Sequence, residues 1–359
     1  MTFDINLVPD GGISWLDASG SDGNIVLSTR VRLARNLNDQ PFTVRSRPED
    51  NQVVLDQVER ASRASRQLHD APLIRIDHLQ GNERQLLQER HLISRELAEL
   101  GDDGRVRAAT ALLTDGSVGI MVNEEDHVRL QCLRSGFSLQ EAYSDLERLD
   151  ADIGAQLAFA FHEEFGYLTS CPTNAGTGLR ASVLIHLPGL VLTKEIAKVL
   201  QGLSQVGLTF RGLYGEGSEV VGNFFQLSNQ TTLGKSEGEL LEHLGDMVRK
   251  VIEYEQQARH VLQRDAPTVI ADKVWRAYGL LKYARSLSFD ETMNLLSGVR
   301  LGVGLNLISD ISVYTLNKLS VFAQPAHLAM SEGRELGDSE LAVVRAAYTR
   351  QLLEEDATR

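Results

Sequence analysis

The sequence predicts an α+β fold: a largely antiparallel sheet flanked by helices, followed by a C-terminal helix bundle. Three observations carry the secondary structure behind this expectation. Short apolar runs between residues 25 and 227 are separated by turn residues and backed by helical patterns. Asp115-Gly116 lies between the apolar runs 109–113 and 118–122, which is a hairpin signal. After Ser236 strand character stops and only helical patterns follow.

In chain order, residues 1–24 contain Gly11-Gly12 and Ser19-Gly20-Ser21 and are expected to form an irregular lead-in. Ile25-Val26-Leu27 opens a short strand, and residues 45–69 read as a polar-faced helix. Residues 108–133 have strand character, interrupted by the Asp115-Gly116 turn. Ser138-Leu139-Gln140-Glu141 is a capping box that starts a helix expected to reach about Phe161. A strand over 179–187 stops at Pro188, a helix covers 193–204, and strands at 208–213 and 223–227 flank a loop. Ser236-Glu237-Gly238-Glu239 is a second capping box, opening a helix to Arg264. Pro267 punctuates, and helices follow over 268–287, 289–308, 313–330 and 338–354. The boundary is placed near Arg259, giving a lead-in (1–24), an α+β domain (25–258) and a helical domain (259–359).

The 359 residues, 42% apolar, suffice for about two globular domains. A net charge of −13 argues against nucleic-acid binding. Two cysteines, Cys132 and Cys171, make no disulfide framework. With no signal-like N-terminus and no run of about 20 apolar residues, the expectation is a cytoplasmic protein without a membrane span.

Four segments carry potential chemistry. In Ser28-Thr29-Arg30-Val31-Arg32-Leu33-Ala34-Arg35-Asn36, Arg30 and Arg32 point to one strand face, as a phosphate clamp or as a solvated face with ion pairs. In Asn123-Glu124-Glu125-Asp126-His127-Val128-Arg129, Glu125 and His127 would share one strand face, with Glu124 and Asp126 on the other. One of these carboxylates could take a proton or orient a guanidinium; an acidic hairpin turn is the alternative. Cys171-Pro172-Thr173-Asn174-Ala175-Gly176-Thr177-Gly178-Leu179-Arg180-Ala181-Ser182 joins a thiol to an arginine-bearing strand. Its thiol is either a thiolate beside a cation or a buried, inert group. Arg211-Gly212-Leu213-Tyr214-Gly215-Glu216 ends a strand and enters a glycine-rich loop able to close over a substrate, or merely to connect. His91, in Glu89-Arg90-His91-Leu92, reads on its own as a structural histidine. The chain has neither a P-loop nor a Rossmann fingerprint, and no metal-ligand spacing.

Taken together and in this order, the four segments resemble the phosphagen (guanidino) kinases over roughly residues 25–254. The stretch 211–237, with Gly222-Asn223-Phe224-Phe225-Gln226-Leu227-Ser228-Asn229-Gln230-Thr231-Thr232, is similar to the bacterial protein-arginine kinases. The resemblance implies ATP as phosphoryl donor, with Mg²⁺ carried on its phosphates and no protein metal site. It implies nucleotide contacts from Ser28, Thr29, Arg30, Val31, Arg32, His91, Arg129, Arg180, Ala181, Ser182, Val183, Leu184, Arg211, Gly212, Leu213, Tyr214, Gly215 and Glu216. It makes Glu125 the base that holds the substrate guanidinium, Glu216 an orienting carboxylate and Cys171 an electrostatic support.

The resemblance further implies protein substrates with exposed arginines, an activator protein, a Clp-type protease in stress response, and a homodimer formed through the helical domain. The small helical domain that precedes ordinary phosphagen kinases is expected to be missing. In the family an Arg-Asp-x-x-Arg-Ala pocket in the C-terminal domain binds phosphoarginine. Here residues 341–346 read Leu-Ala-Val-Val-Arg-Ala, retaining only Arg345 and Ala346, so the resemblance leaves open whether phosphoarginine is sensed there. The alternatives are a kinase for a small guanidino compound and a catalytically silent phosphoarginine-binding scaffold.

Overall fold

The computed structural model describes residues 13–101, 106–212 and 221–358. An eight-stranded sheet forms its centre. The strands are β1 (Val26–Arg35), β2 (Leu73–Arg75), β3 (Ala111–Thr114), β4 (Val118–Val122), β5 (Val128–Ser135), β8 (Leu179–His186), β9 (Leu208–Arg211) and β10 (Phe224–Asn229). Two short strands, β6 (Phe161–His162) and β7 (Gly166–Tyr167), form a separate hairpin. The sheet order is β2-β3-β4-β5-β1-β8-β10-β9, and each adjacent pair is antiparallel. The β3–β4 hairpin turns at Asp115-Gly116 as expected, with Gly116 at φ 99°.

β1 is longer than the short strand expected, because its alternation of core and polar residues continues through the arginine segment. A register shift between Val26 and Ser28 sets that alternation. Val31 and Leu33, with Ala181, Val183 and Ile185 of β8, enter the main core. Helices α1 (Pro48–Arg63), α4 (Leu139–Gly154) and α7 (Glu237–Asp265) cover this face of the sheet.

The opposite face is divided. At one end Leu27, Leu133, Leu184 and Phe224 pack with Trp15, Leu16 and the C-terminal helices. Those helices are α8 (Pro267–Tyr283), α9 (Phe289–Gly304), α10 (Val313–Phe322), α11 (Pro325–Glu332) and α12 (Asp338–Ala357). Near the β2 edge Leu112 and Met121 pack under α2 (Gly81–Glu89) and α3 (Arg95–Ala98). Between these two apolar patches the polar residues of β1, β5 and β8 line a cavity.

Several boundaries differ from expectation. α4 ends at Gly154, and Phe161 lies on the hairpin; the Ser138 side chain makes no capping bond. The helix expected over 193–204 is α6 (Ile196–Gln205), and a separate short helix, α5 (Pro188–Leu192), which Pro188 starts, precedes it. Residues 313–330 form two helices because Pro325 begins a new one. The Ser236 and Ser288 caps are present, each hydroxyl accepting from the third backbone N–H of its helix. α7 runs unbroken through Arg259, which is buried and paired with Glu255 at 2.7 Å. Trp15 and Leu16, expected in an irregular lead-in, are core residues on a short 3₁₀ turn. Among the described residues no helix is long and apolar enough to cross a membrane.

α11 is tied to α2 by a buried polar cluster. Glu89 accepts from the Ala326 and His327 N–H groups at 2.9 and 3.1 Å. His327 Nδ1 lies 2.7 Å from the same carboxylate, so it carries the proton, and Nε2 accepts from Arg90 at 3.2 Å. Arg345, the retained arginine of the 341–346 stretch, is a structural tie: it donates to the Ala323 and Leu287 carbonyls at 2.8 and 2.9 Å.

Candidate active site

The cavity between the apolar patches has a volume of about 560 Å³. The β-register places its cations. Arg32 sits opposite Arg180 on β8 and Gln131 on β5; Arg129 follows on β5, opposite Ala34. Arg30, Arg32, Arg129, Arg180, Arg211 and His91 all line this one cavity. Ser28, Ser182 and Leu184 line a small adjoining recess shared with Arg30 and His91.

The contiguous assignments along β1 and β8 take in residues of both sheet faces. Thr29, Val31, Ala181 and Val183 point the other way, into the core; Thr29 donates to the Gly136 carbonyl at 2.7 Å. Their side chains cannot contact a nucleotide in the cavity. Gly212 directly follows β9, whereas Leu213, Tyr214, Gly215 and Glu216 lie outside the described residues. Arg35, the third arginine of its segment, is buried against Asp150 at 2.8 Å and stacks on Tyr167 at 3.5 Å.

Electrostatics mark the cavity as an anion site. Burial, with Arg129 and Arg180 nearby, pulls the Arg30 guanidinium down to about 10. Arg32 is held well below its ordinary range by burial and by Arg30, Arg129 and Arg180. Its Nε is buried and has no hydrogen-bond partner among the described residues. A polyphosphate would relieve both the like-charge repulsion and the unmet donor. Burial, then Arg30, lowers His91 to about 3, so it is a neutral ring at ordinary pH. Its backbone is left-handed, with φ 59°, and its ring packs edge-on to Trp15 at 5.3 Å.

The segment 123–127 is a loop between β4 and β5 instead of the strand expected, so the proposed two-face alternation does not apply. Asn123, at φ 56°, donates to the Asn51 and Ala109 carbonyls, both at 2.8 Å. Glu124 pairs with Arg129; burial alone would raise its pKa, but Arg129 brings it down to about 2. The same pair raises Arg129 against the effect of burial. Asp126 accepts from Asn36 and from the Ser170 N–H, both at 2.6 Å. His127 Nδ1 accepts from the Leu37 N–H at 3.0 Å, leaving Nε2–H to the Pro41 carbonyl. Four side chains are thus spent on the scaffold, while Glu125 lines the cavity, half-buried, with burial raising its pKa.

Cys171 and Asn174 close the site beside Glu125. Asn174 Nδ2 donates to Glu125 Oε2 at 3.2 Å, and Cys171 Sγ lies 3.0 Å from Thr173 Oγ1. Cys171 is partly exposed to the cavity, whereas burial pushes the Cys132 thiol up to about 12 and keeps it protonated. Gly176, at φ 105°, holds the loop close to residue 232, where a Cβ would stand 2.5 Å from the Thr232 carbonyl oxygen.

Sequence reasoning missed Arg107, which donates to the Glu124 carbonyl, and Ser94, Gln226 and Arg95, which line the cavity. Gln226 was legible in principle, because it lies on the face of β10 that alternates with Phe225 and Leu227. Ser94, Arg95 and Arg107 come from short or irregular segments with no periodic signal. Among the described residues no group of three His, Cys, Asp or Glu side chains is arranged to hold a metal ion.

Comparison with known proteins accords with this geometry. Residues 53–258 match the family model of the ATP:guanido phosphotransferase C-terminal catalytic domain. Residues 267–359 match the protein-arginine kinase McsB C-terminal domain. The protein-arginine kinase of Pelotomaculum thermopropionicum is 46% identical over 340 residues, 94% of each chain. That of Bacillus subtilis is 42% identical over 97% of this chain and 95% of its own. Among solved structures, lombricine kinase aligns at TM-score 0.58 and 25% identity, over 67% of this chain and 70% of that one. The duplicated taurocyamine kinase of Schistosoma mansoni, with bound transition-state analogue components, aligns at TM-score 0.55 and 25% identity, over 71% of this chain and 35% of that one. With an arginine-lined cavity, the half-buried Glu125 facing it and matching family models on both sides of residue 259, the chain belongs to the ATP:guanido phosphotransferases and, within them, to the protein-arginine kinases.

Proposed function

We propose that this protein transfers the γ-phosphoryl group of ATP to arginine side chains of proteins, giving phosphoarginine and ADP. The observation that carries the reading is the position of Glu125: it opens onto the arginine cavity beside Cys171 and Asn174, whereas its neighbour Glu124 is buried in its pair with Arg129. A guanidinium is a poor nucleophile until it loses a proton. Glu125 takes that proton as the N–P bond forms and the bond from phosphorus to the β–γ bridging oxygen breaks, releasing ADP. Burial raises the Glu125 pKa, which strengthens it as a base. Arg30, Arg32, Arg129, Arg180 and Arg211 bind the phosphates, and His91, Ser28, Ser182 and Leu184 border them. Cys171 supports the substrate guanidinium, as does Glu216.

The cationic lining suits phosphate oxygens and leaves Mg²⁺ to be carried by the nucleotide, where it would neutralise charge on the transferring group. The catalytic unit spans residues 25–258 and the helical unit 259–359. A homodimer would use exposed Trp275, Leu280 and Tyr283 of α8. A cytoplasmic location, an activator protein and delivery of marked proteins to a Clp-type protease complete the reading, on the family resemblance.

The test is transfer from labelled ATP and Mg²⁺ to an unfolded basic protein or to free arginine. Acid-labile, base-stable label on the protein is expected. Label on free arginine alone would overturn the choice of substrate, and no transfer at all would favour a silent scaffold. Glu125→Gln should lose transfer by about a thousandfold while still binding ATP; full activity would remove Glu125 as the base.

A further inference from the structure

The loop that walls the catalytic cavity has a second side. Thr173 and Asn174 face the cavity, while Gly176 and Thr177 face a groove of about 400 Å³. The far wall of that groove is the β6–β7 hairpin and the stretch 232–239. Phe161, Phe165 and Leu233 line it and are 58%, 45% and 53% exposed. Glu164, Glu237 and Glu239 are its acidic residues and Lys235 its basic one, with Glu163 exposed alongside. Glu239 is occupied by the Ser236 N–H and hydroxyl at 2.7 and 2.8 Å.

The exposed aromatics are held in place. Phe161 packs edge-on to Tyr167 at 5.3 Å, and Tyr167 lies on the buried Arg35. Gly166 and Tyr167 bridge to Gly176, which ties the hairpin to the catalytic loop. An apolar surface with an acidic rim, separated from the cavity only by the loop that carries Thr173 to Thr177, suits a polypeptide better than a small guanidino compound.

We propose that this groove docks the polypeptide that flanks the target arginine: an extended segment carrying an aliphatic or aromatic residue next to a lysine or arginine. The inference rests on the protein-arginine kinase reading. An extended chain advances about 3.3 Å per residue, so positions a few residues from the arginine reach Phe161 and Phe165. The apolar residue packs on the aromatics, and the basic one meets Glu163 and Glu164.

The test compares single-arginine peptides of equal length, flanked either by Leu, Phe and Lys or by Gly and Ser. The full chain is assayed beside two double variants, Phe161→Ser with Phe165→Ser, and Glu163→Lys with Glu164→Lys. The unmodified protein should prefer the apolar, basic peptide about tenfold in kcat/KM, the worth of one apolar anchor, mainly through KM. Both variants should lose the preference while the KM for ATP holds. No preference in the unmodified protein, or the same preference in the variants, overturns the docking groove. If the unmodified protein labels no peptide, the kinase reading fails and the groove falls with it.

Discussion

Arg32 illustrates a residue whose folded environment is poor until a ligand arrives. It shares its cavity with Arg30, Arg129 and Arg180, and its Nε lacks a partner among the described residues. Arg32→Met should therefore raise Tm by a few degrees, since it removes repulsion and an unmet donor, yet weaken ATP binding about a hundredfold. Differential scanning fluorimetry and calorimetric titration check the two halves; unchanged ATP affinity would take Arg32 out of the anion site. His91 gives a pH signature. The unfolded chain takes up its proton below about pH 6.5, but the folded one only near 3, so stability falls as pH drops through that window. His91→Gln should flatten the slope there by up to about 1.4 kcal/mol per pH unit in urea unfolding, while the also-lowered His127, His186 and His327 keep contributing. The sequence made the pairing of Arg30 with Arg32 legible because strand period fixes faces. It could not separate Arg30 from Thr29 or Val31 when a whole segment was assigned by resemblance, since resemblance ignores that period.

At the scale of elements, the acidic loop and the cysteine loop are built by opposite means. The 123–127 loop is pinned by side chains that spend their polar groups on neighbouring backbone, and Glu125 is what remains. The 171–178 loop is pinned by close backbone approach at glycines. Gly176→Ala would add a Cβ 2.5 Å from Thr232 O at φ 105° and cost at least about 1–2 kcal/mol in backbone strain. The expected result is a lower urea midpoint and slower transfer, with the KM for ATP less affected; an intact kcat would detach the glycine from the chemistry. The strand reading of 123–127 failed because the residues between β4 and β5 turn the chain, the Asn123 N–H donating to the His127 carbonyl at 2.9 Å, while the Asn123 side chain anchors the turn to Asn51. The Ser236, Ser288 and Pro267 boundaries were legible because their signals are local, whereas the helix start at Pro325 went unread inside a continuous apolar pattern.

For the whole molecule, the sheet's second face is partitioned: helices cover its ends and a charged gap remains between them. The fold class was legible from apolar runs and turns. That the C-terminal helices cap the sheet at Leu27, Leu133, Leu184 and Phe224 was not, because no local pattern encodes contacts across such sequence distances. The Glu89–His327 cluster gives this packing a further meaning. It lies on the two residues before His91, so α11 and the nucleotide cavity share one short run of chain. To the extent that opening of α11 disturbs the His91 conformation, nucleotide binding that favours that conformation resists the opening, by reciprocity of linked equilibria. Amide hydrogens at Ala326 and His327 should then exchange more slowly with ATP present, and His327→Ala should abolish the difference. The helical region thereby becomes a reporter of nucleotide occupancy readable by hydrogen exchange, at amides that never touch the ligand.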